Sequence, residues 1–199
     1  MNNINFFERL KSLLLFPSYE WKVISLEKRS LSDDFRQFTF RLIVAGALAQ
    51  FIGSFIFVRN VLDIDAYRFS FPLVQSFFYI FIQTGLLMIC SFFVKKMARK
   101  FKSVPDQKSA SRLVIYSATP LLMMFVIFNL SQVLFLALLP GFYSLYLFWS
   151  GLPILLKTDQ SKRISYTFLY FIFMSGLFWG FILLFGFITG ILFPGSITT

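Results

Sequence analysis

The chain contains no histidine and a single cysteine, Cys90, among its 199 residues. Without histidine, the chain itself supplies no imidazole ligand for zinc and no imidazole acid or base with a pKa near neutrality. One cysteine inside an apolar run also excludes an intramolecular disulfide framework. We therefore expect no metal site and no cofactor, and we expect the protein not to be an enzyme.

Charged residues are missing from four long stretches, which are Leu42–Val58, Ser70–Val94, Leu113–Leu156 and Ile164–Thr199. An uncharged apolar stretch of about 20 residues can cross a bilayer as a helix. Across the chain, 57% of residues are hydrophobic and 14% are charged. Soluble domains average about 45–50% apolar and about 25% charged residues. The sequence therefore predicts an all-α, polytopic helical membrane protein.

The third uncharged stretch is about twice as long as one membrane crossing, so it must fold back once. The polar cluster Asn129, Ser131 and Gln132 is the natural position for this hairpin. The sequence thus predicts five transmembrane helices, at about 40–58, 70–94, 112–130, 133–156 and 165–192. Residues 1–38 form a cytoplasmic N-terminal segment in this interpretation, and residues 39–199 form the transmembrane domain.

Positive charge is distributed very unevenly between the two sides that this topology defines. The segments 1–41, 95–112 and 157–163 together carry 17 Lys and Arg residues, whereas the loop 59–69 carries 2. Basic residues concentrate on the cytoplasmic side of membrane proteins. We therefore predict a cytoplasmic N-terminus and an external C-terminus, in a bacterial inner membrane as the simplest location. No soluble basic domain is present, so we expect no nucleic-acid partner for the net charge of +10.

Residues 5–16 have the pattern of an amphipathic helix. Phe6, Leu10, Leu13 and Leu14 repeat at helical spacing, and the polar residues Glu8, Arg9, Lys11 and Ser12 occupy the other side. Such a helix can lie on the inner leaflet or contact a partner. Alternatively, it packs on the cytoplasmic ends of the spans.

The acidic residues of this N-terminal region include Glu8, Glu20, Asp33 and Asp34. The sequence favours their interpretation as surface charges, with Asp33 and Asp34 as N-terminal helix caps.

The predicted spans contain amide and hydroxyl groups but no ionisable residue in their central apolar regions, which argues against proton-coupled transport and ion pumping. A candidate intramembrane polar and kink site consists of Gln75, Gln83, Tyr116, Thr119, Pro120 and Asn129. These groups either line a solute path or hold helices together. Pro120, well inside the third span, predicts a kink.

Two further features suggest contacts with lipids or with other proteins. A candidate site for anionic lipids or a partner consists of Lys95, Lys96, Arg99, Lys100 and Lys102, although these charges also serve to fix the topology. Small residues recur at four-residue spacing in the pairs Gly176–Gly180 and Gly186–Gly190. Such pairs allow close helix packing, either within the bundle or in a homo-oligomer.

Three segments carry a family resemblance: PSYEWKVI at 17–24, YSATPLL at 116–122 and LPGFYSLYLFWSG at 139–151. Together with five spans, they resemble the bacterial branch of the Yip (Ypt-interacting protein) family over roughly residues 10–190. Eukaryotic members bind Rab-type GTPases and one another and help to shape transport vesicles. Their DLYGP motif is absent here, so GTPase binding is not part of what the resemblance implies.

Two functions follow as hypotheses. The first is a non-catalytic integral membrane protein of the Yip type that organises membranes or binds a membrane-protein partner. The alternative is a channel or transporter for small solutes or ions. A lipid-modifying enzyme lacks a constellation of nucleophile, base or metal ligands in this sequence.

Overall fold

A computed structural model describes residues 5–61, 69–131 and 135–192, with side chains for all of these except 57–61, 131 and 135–139. In this part of the chain the backbone is mostly helical and contains no strand. The predicted all-α class is confirmed.

Three short helices precede the long ones. They are α1 (Phe6–Leu15), α2 (Pro17–Leu26) and α3 (Leu31–Asp34). Pro17 occupies the first turn of α2, where the missing N–H of proline leaves no helical hydrogen bond unmade. A π-helical turn, Phe35–Thr39, continues α3 into the first long helix.

The long helices are α4 (Phe40–Val61), α5 (Ser70–Ala98), α6 (Gln107–Ser117), α7 (Thr119–Ser131), α8 (Phe135–Leu155) and α9 (Arg163–Leu192). Among the described residues, four continuous helical segments are long and apolar enough to cross a membrane: Leu31–Ile56, Ser70–Phe101, Gln107–Leu130 and Gln160–Leu192. The protein is therefore a polytopic helical membrane protein. Helix α8, with 21 residues, has the length that the fourth predicted span, at about 133–156, requires.

The third span ends close to the predicted hairpin. Asn129 and Ser131 belong to the last turns of α7, and Gln132 lies outside the described residues. The start of this span differs more from the prediction, because α6 begins at Gln107 rather than near 112. Asp106 caps this earlier start by accepting a hydrogen bond from the Ser109 N–H at 2.7 Å.

A kink divides the third span at the predicted proline. Helix α6 ends at Ser117 and α7 begins at Thr119, one residue before Pro120. A proline inside a helix displaces the carbonyl four residues earlier and interrupts the hydrogen-bond ladder. The next amide, Leu121 N–H, instead donates to Ser144 Oγ on α8 at 3.1 Å.

Helix α1 packs on the bundle with the apolar face that the sequence predicts. Leu13 is fully buried, and Phe6 and Leu10 pack against the same core. Arg9 is also buried, although the sequence pattern assigned it to the polar side. Helix α1 thus packs on the bundle through one face, while Phe7 and Leu15 remain exposed on its other side.

Trp21 anchors α2 in the same core. Its indole is fully buried, and Nε1–H donates to Ser150 Oγ on α8 at 3.1 Å. The neighbouring Gly151 makes room for this ring, because a Cβ there would lie 2.8 Å from Trp21 Cε2 and 2.6 Å from Leu113 Cδ1. The N-terminal helices are therefore part of the packed structure rather than an appended tail.

Candidate functional site

Two buried arginines join the N-terminal helices to the third span, and with Glu20, Glu27 and Asp34 they form what we call the arginine network. Arg9 on α1 is only 3% exposed. It forms an ion pair with Glu27 and lies 3.6 Å from Glu20 Oε1. Its Nη1 also donates to the Tyr116 hydroxyl on α6 at 3.3 Å. Arg9 thus links α1, α2 and α6 through one side chain.

The second arginine, Arg112, lies in the second turn of α6. Its Nε is 2.7 Å from Asp34 Oδ2, and both side chains are buried. Its Nη1 donates to the carbonyl oxygens of Ile24 and Glu27, each at 2.9 Å. Its Nη2 donates to the carbonyl of Arg29 at 3.1 Å. Arg112 therefore supplies the donors that the carbonyls at the end of α2 need.

The network shifts the pKa values of its own members. Burial raises the pKa of Glu20 above its ordinary value, and the Arg9 charge only partly opposes this effect. Burial lowers the pKa of Arg9, but Tyr116, Glu27 and Glu20 outweigh it, so the guanidinium pKa is raised. Arg9 therefore remains charged and is paired directly with Glu27.

Two of the acidic residues predicted to be surface charges, Glu20 and Asp34, are buried, whereas Glu8 is exposed as predicted. Glu20 and Asp34 are 4% and 1% exposed, so they are not surface charges. The side-chain cap of α3 is Ser30, whose Oγ accepts from the Asp33 N–H at 3.1 Å. Asp34 instead pairs with Arg112, which is 78 positions away in the chain. A local sequence pattern does not indicate a partner at that distance.

The predicted intramembrane residues lie at several helix interfaces. Gln75 Oε1 accepts hydrogen bonds from Gln50 Nε2 at 3.2 Å and from Ser54 Oγ at 2.5 Å, which joins α5 to α4. Asn129 Nδ2 donates to the Gly46 carbonyl at 3.2 Å, which joins α7 to α4. These contacts fit helix packing.

Other members of that set lie elsewhere. Gln83 is buried beside an apolar cavity of about 300 Å³, formed with residues of α7, α8 and α9. Thr119 and Pro120 are buried at the kink of the third span. Tyr116, one turn earlier, belongs to the arginine network. The structure thus brings together the three residues around the kink but not the whole set, and their functional role stays a prediction.

The predicted basic site covers the last turn of α5 and the residues directly after it. Lys95 and Lys96 lie in the last turn of α5, Arg99 and Lys100 in a 3₁₀ turn, and Lys102 has a left-handed backbone with φ of 52°. This set is exposed apart from Lys95, which is half-buried. The contact with lipid or a partner remains a prediction.

The three basic segments meet at one end of the bundle. The Val104 N–H donates to the Leu156 carbonyl at 2.8 Å, and Ser103 Oγ lies 2.8 Å from Thr158 Oγ1. Arg112, at the end of segment 95–112, donates a hydrogen bond to Asp34 of the N-terminal segment. The segments that the charge pattern assigns to one side are therefore neighbours in space.

The buried partners of Arg9 and of Arg112 were not predicted from the sequence, although one signal was present. Arg112 directly precedes a long uncharged stretch, where a charged side chain requires a partner or access to water. Within residues 5–61, 69–131 and 135–192, no group of three or more His, Cys, Asp or Glu side chains is placed to hold a metal ion.

Comparison with known proteins identifies the family. The profile of the Yip1 domain matches residues 11–183. That range includes Trp21, Arg112, Pro120 and most of α9. Neither the curated proteins nor the solved structures provide a match. Because the matched range covers most of the sequence, the resemblance to the Yip family is confirmed, and the chain belongs to the Yip1 domain family.

Proposed function

We propose that this protein is a non-catalytic membrane protein that acts by interaction and presents a fixed platform made of α1, α2 and α3. The observation that carries the proposal is the arginine network. Arg9 pairs α1 with α2 and hydrogen-bonds to Tyr116, and Arg112 pairs the third span with Asp34 of α3. A buried charge that loses its partner is costly, so the Arg112–Asp34 pair opposes separation of the platform from the bundle.

The platform exposes large apolar side chains beside charged ones. Those on α1, α2 and the residue between them are Phe7, Leu15, Phe16, Tyr19 and Leu26. Exposed apolar groups of this kind contact either the bilayer interface or another protein. The fixed attachment of these helices supports recognition of a membrane-protein partner, because the backbone needs no further ordering when the partner binds.

The chemistry of the buried groups supports a non-catalytic role. Glu20, Glu27 and Asp34 are each engaged by an arginine. Cys90 is fully buried among apolar residues of the core. An acid, base or nucleophile must be within reach of a substrate, and these groups are occupied in holding helices together.

The alternative function, permeation of a small solute or ion, receives less support. It relied on Gln75, Gln83, Thr119 and Asn129 facing a common path. Gln75 and Asn129 hydrogen-bond to α4. A polar group that already pairs across a helix interface is less available to replace the water around a solute.

The proposed location is a bacterial inner membrane with the N-terminus in the cytoplasm. This proposal rests on the excess of basic residues in the segments 1–41, 95–112 and 157–163. The test measures the activity of reporters fused to the C-terminus. Activity of a reporter that works only outside the cytoplasm is expected. Activity of a reporter that works only in the cytoplasm would contradict the assigned orientation.

Photo-crosslinking in native membranes tests the interaction function. A photoreactive phenylalanine analogue is placed at Tyr19 or Leu26 on the platform, and at Phe187 on α9 as the matched exposed control. We expect one or a few defined protein adducts from the platform positions and only lipid adducts from Phe187. Affinity purification with mass spectrometry then identifies the adducts and measures the oligomer mass.

Two results would contradict the proposal. The first is the absence of protein adducts at both platform positions while the protein is folded and inserted. The second is a homo-oligomer without a partner that conducts ions or solutes in a liposome flux assay. That second result would support the permeation alternative instead.

A further inference from the structure

A basic cavity of about 710 Å³ opens beside the arginine network, between α1 and the start of α4. Its walls contain four guanidinium groups and one carboxylate, contributed by Arg9, Arg29, Arg36, Arg41 and Asp34. The carboxylate is already paired with Arg112, and Arg9 is paired with Glu27. The exposed guanidinium groups of Arg36 and Arg41 add positive charge at the cavity, which attracts an anion.

Two of the arginines are placed to bind a ligand without disturbing the fold. Arg36 is 76% exposed and lies 4.0 Å from Asp33, a surface pair that contributes little to stability. Arg41 lies 5.9 Å above the ring of Phe6, a contact that uses no N–H donor. Both guanidinium groups can therefore turn toward a bound anion.

The buried wall also contains hydrogen-bonding atoms without a hydrogen-bond partner in the described protein. They are Arg9 Nε, a donor that lies 3.6 Å from Glu20 Oε1, and Asp34 Oδ1, an acceptor. Buried polar atoms normally have a hydrogen-bond partner. Both atoms are enclosed behind the cavity surface, so the groups open to a ligand are the exposed guanidinium groups of Arg36 and Arg41.

The position of the cavity relative to the bilayer follows from the sequence of α4. Arg41 directly precedes Leu42, the first residue of an uncharged stretch that forms the first span. The inner wall is aromatic, with the rings of Phe6 and Phe38 5.3 Å apart and those of Phe38 and Tyr116 5.0 Å apart. Arginines beside aromatic rings at the start of the first span are suited to bind a ligand at the membrane–water boundary.

We propose that the cavity binds a phosphate ester, such as a glycerol phosphate. Guanidinium groups bind phosphate through paired N–H donors, and several of them surround one cavity here. Two sources share this chemistry: the headgroup of an anionic phospholipid, and a free phosphorylated compound from the aqueous phase.

The test compares ligands and variants on the full-length protein in a neutral detergent. Native mass spectrometry measures adducts with phosphatidylglycerol and, as the neutral comparison, phosphatidylcholine. Isothermal titration with glycerol 3-phosphate and with inorganic phosphate measures the free compounds. We expect selective binding either to phosphatidylglycerol or to glycerol 3-phosphate, and the two arms identify the source.

The double variant Arg36→Gln/Arg41→Gln removes two charges from the cavity. It is expected to weaken this binding roughly tenfold or more, since each basic residue near a phosphate contributes several-fold to affinity. The matched control Lys22→Gln/Lys162→Gln removes two exposed positive charges outside the cavity. It is expected to leave binding within about twofold of the parent protein.

A second variant tests the role of cavity charge separately, in case the double arginine variant misfolds. Gln37→Glu adds a negative charge to the cavity wall, at a half-buried position that keeps its size. It is expected to lower the affinity by like-charge repulsion while the unfolding temperature stays unchanged. The proposal is overturned if no phosphate ligand binds selectively, if Gln37→Glu binds like the parent, or if the control pair loses as much affinity as the cavity pair.

Discussion

Arg112 and Asp34 form a buried ion pair, with Nε 2.7 Å from Oδ2, that joins the third span to the helix leading into the first. Arg112→Leu leaves Asp34 buried without its partner charge. We expect the free energy of unfolding to fall by about 3–5 kcal/mol. Unfolding of the purified protein by transfer from a mild detergent into dodecyl sulfate measures this change.

The control for that variant is Arg36→Leu, which removes an arginine from an exposed pair with Asp33 at 4.0 Å. Its effect should stay within about 0.5 kcal/mol. Equal stability of the two variants would show that the buried network does not hold the N-terminal helices in place.

Gly53 lets α4 and α7 approach closely, because a Cβ at this position would lie 1.8 Å from the backbone oxygen of Asn129. Gly53→Ala must push the two helices apart, and we expect destabilisation of at least about 1–3 kcal/mol. Gly176→Ala on α9 is the matched control, since a Cβ there meets nothing within 4 Å. A Gly53→Ala protein as stable as the Gly176→Ala protein would contradict this packing.

Ser144 on α8 accepts the hydrogen bond of the Leu121 N–H at the proline kink. Ser144→Ala leaves this amide without its partner, and we expect a loss of about 1–3 kcal/mol. Ser91→Ala is the control, because the Ser91 hydroxyl bonds only to the Leu87 carbonyl of its own helix, at 2.7 Å. The two variants are compared by thermal unfolding in detergent, and an equal effect would argue against a role for Ser144 at the kink.

Asp106 caps α6 and gives the stability of that helix a pH dependence. Burial by itself raises its pKa, but the hydrogen bonds from Ser109 and Lys108 and the charge of Lys108 together outweigh it and lower the pKa below the ordinary value of 3.8. The folded state therefore favours the ionised form, so its contribution is present above the ordinary pKa and is lost as the pH falls through the lowered one. Asp106→Ala should cost about 1 kcal/mol at neutral pH.

Asp106→Asn separates the cap from the charge, because asparagine also accepts from the helix N–H groups but does not titrate. Its unfolding temperature should resemble that of the parent at neutral pH. The part of the pH dependence due to this residue, which falls around and below the ordinary pKa of 3.8, should disappear. An unchanged profile would assign the acid sensitivity to other carboxylates.

The membrane class of this protein was accessible from the sequence because it depends on local properties. Long uncharged stretches predict spanning helices wherever they occur, and Pro120 predicts a kink because a proline disrupts the helix that contains it. The amphipathic spacing of Phe6, Leu10 and Leu13 likewise predicted the buried face of α1, which the structure confirms. In each case the physical cause lies within a few turns of the residue concerned.

The partners of the buried charges were decided only by the tertiary structure. Arg9 and Tyr116 are 107 positions apart, and Arg112 and Asp34 are 78 positions apart. Arg9 looked like part of a polar helix face, and Asp34 looked like a cap, because each has polar neighbours in the sequence. The energy that places them comes from pairing charges away from water, and that pairing depends on which helix ends the fold brings together.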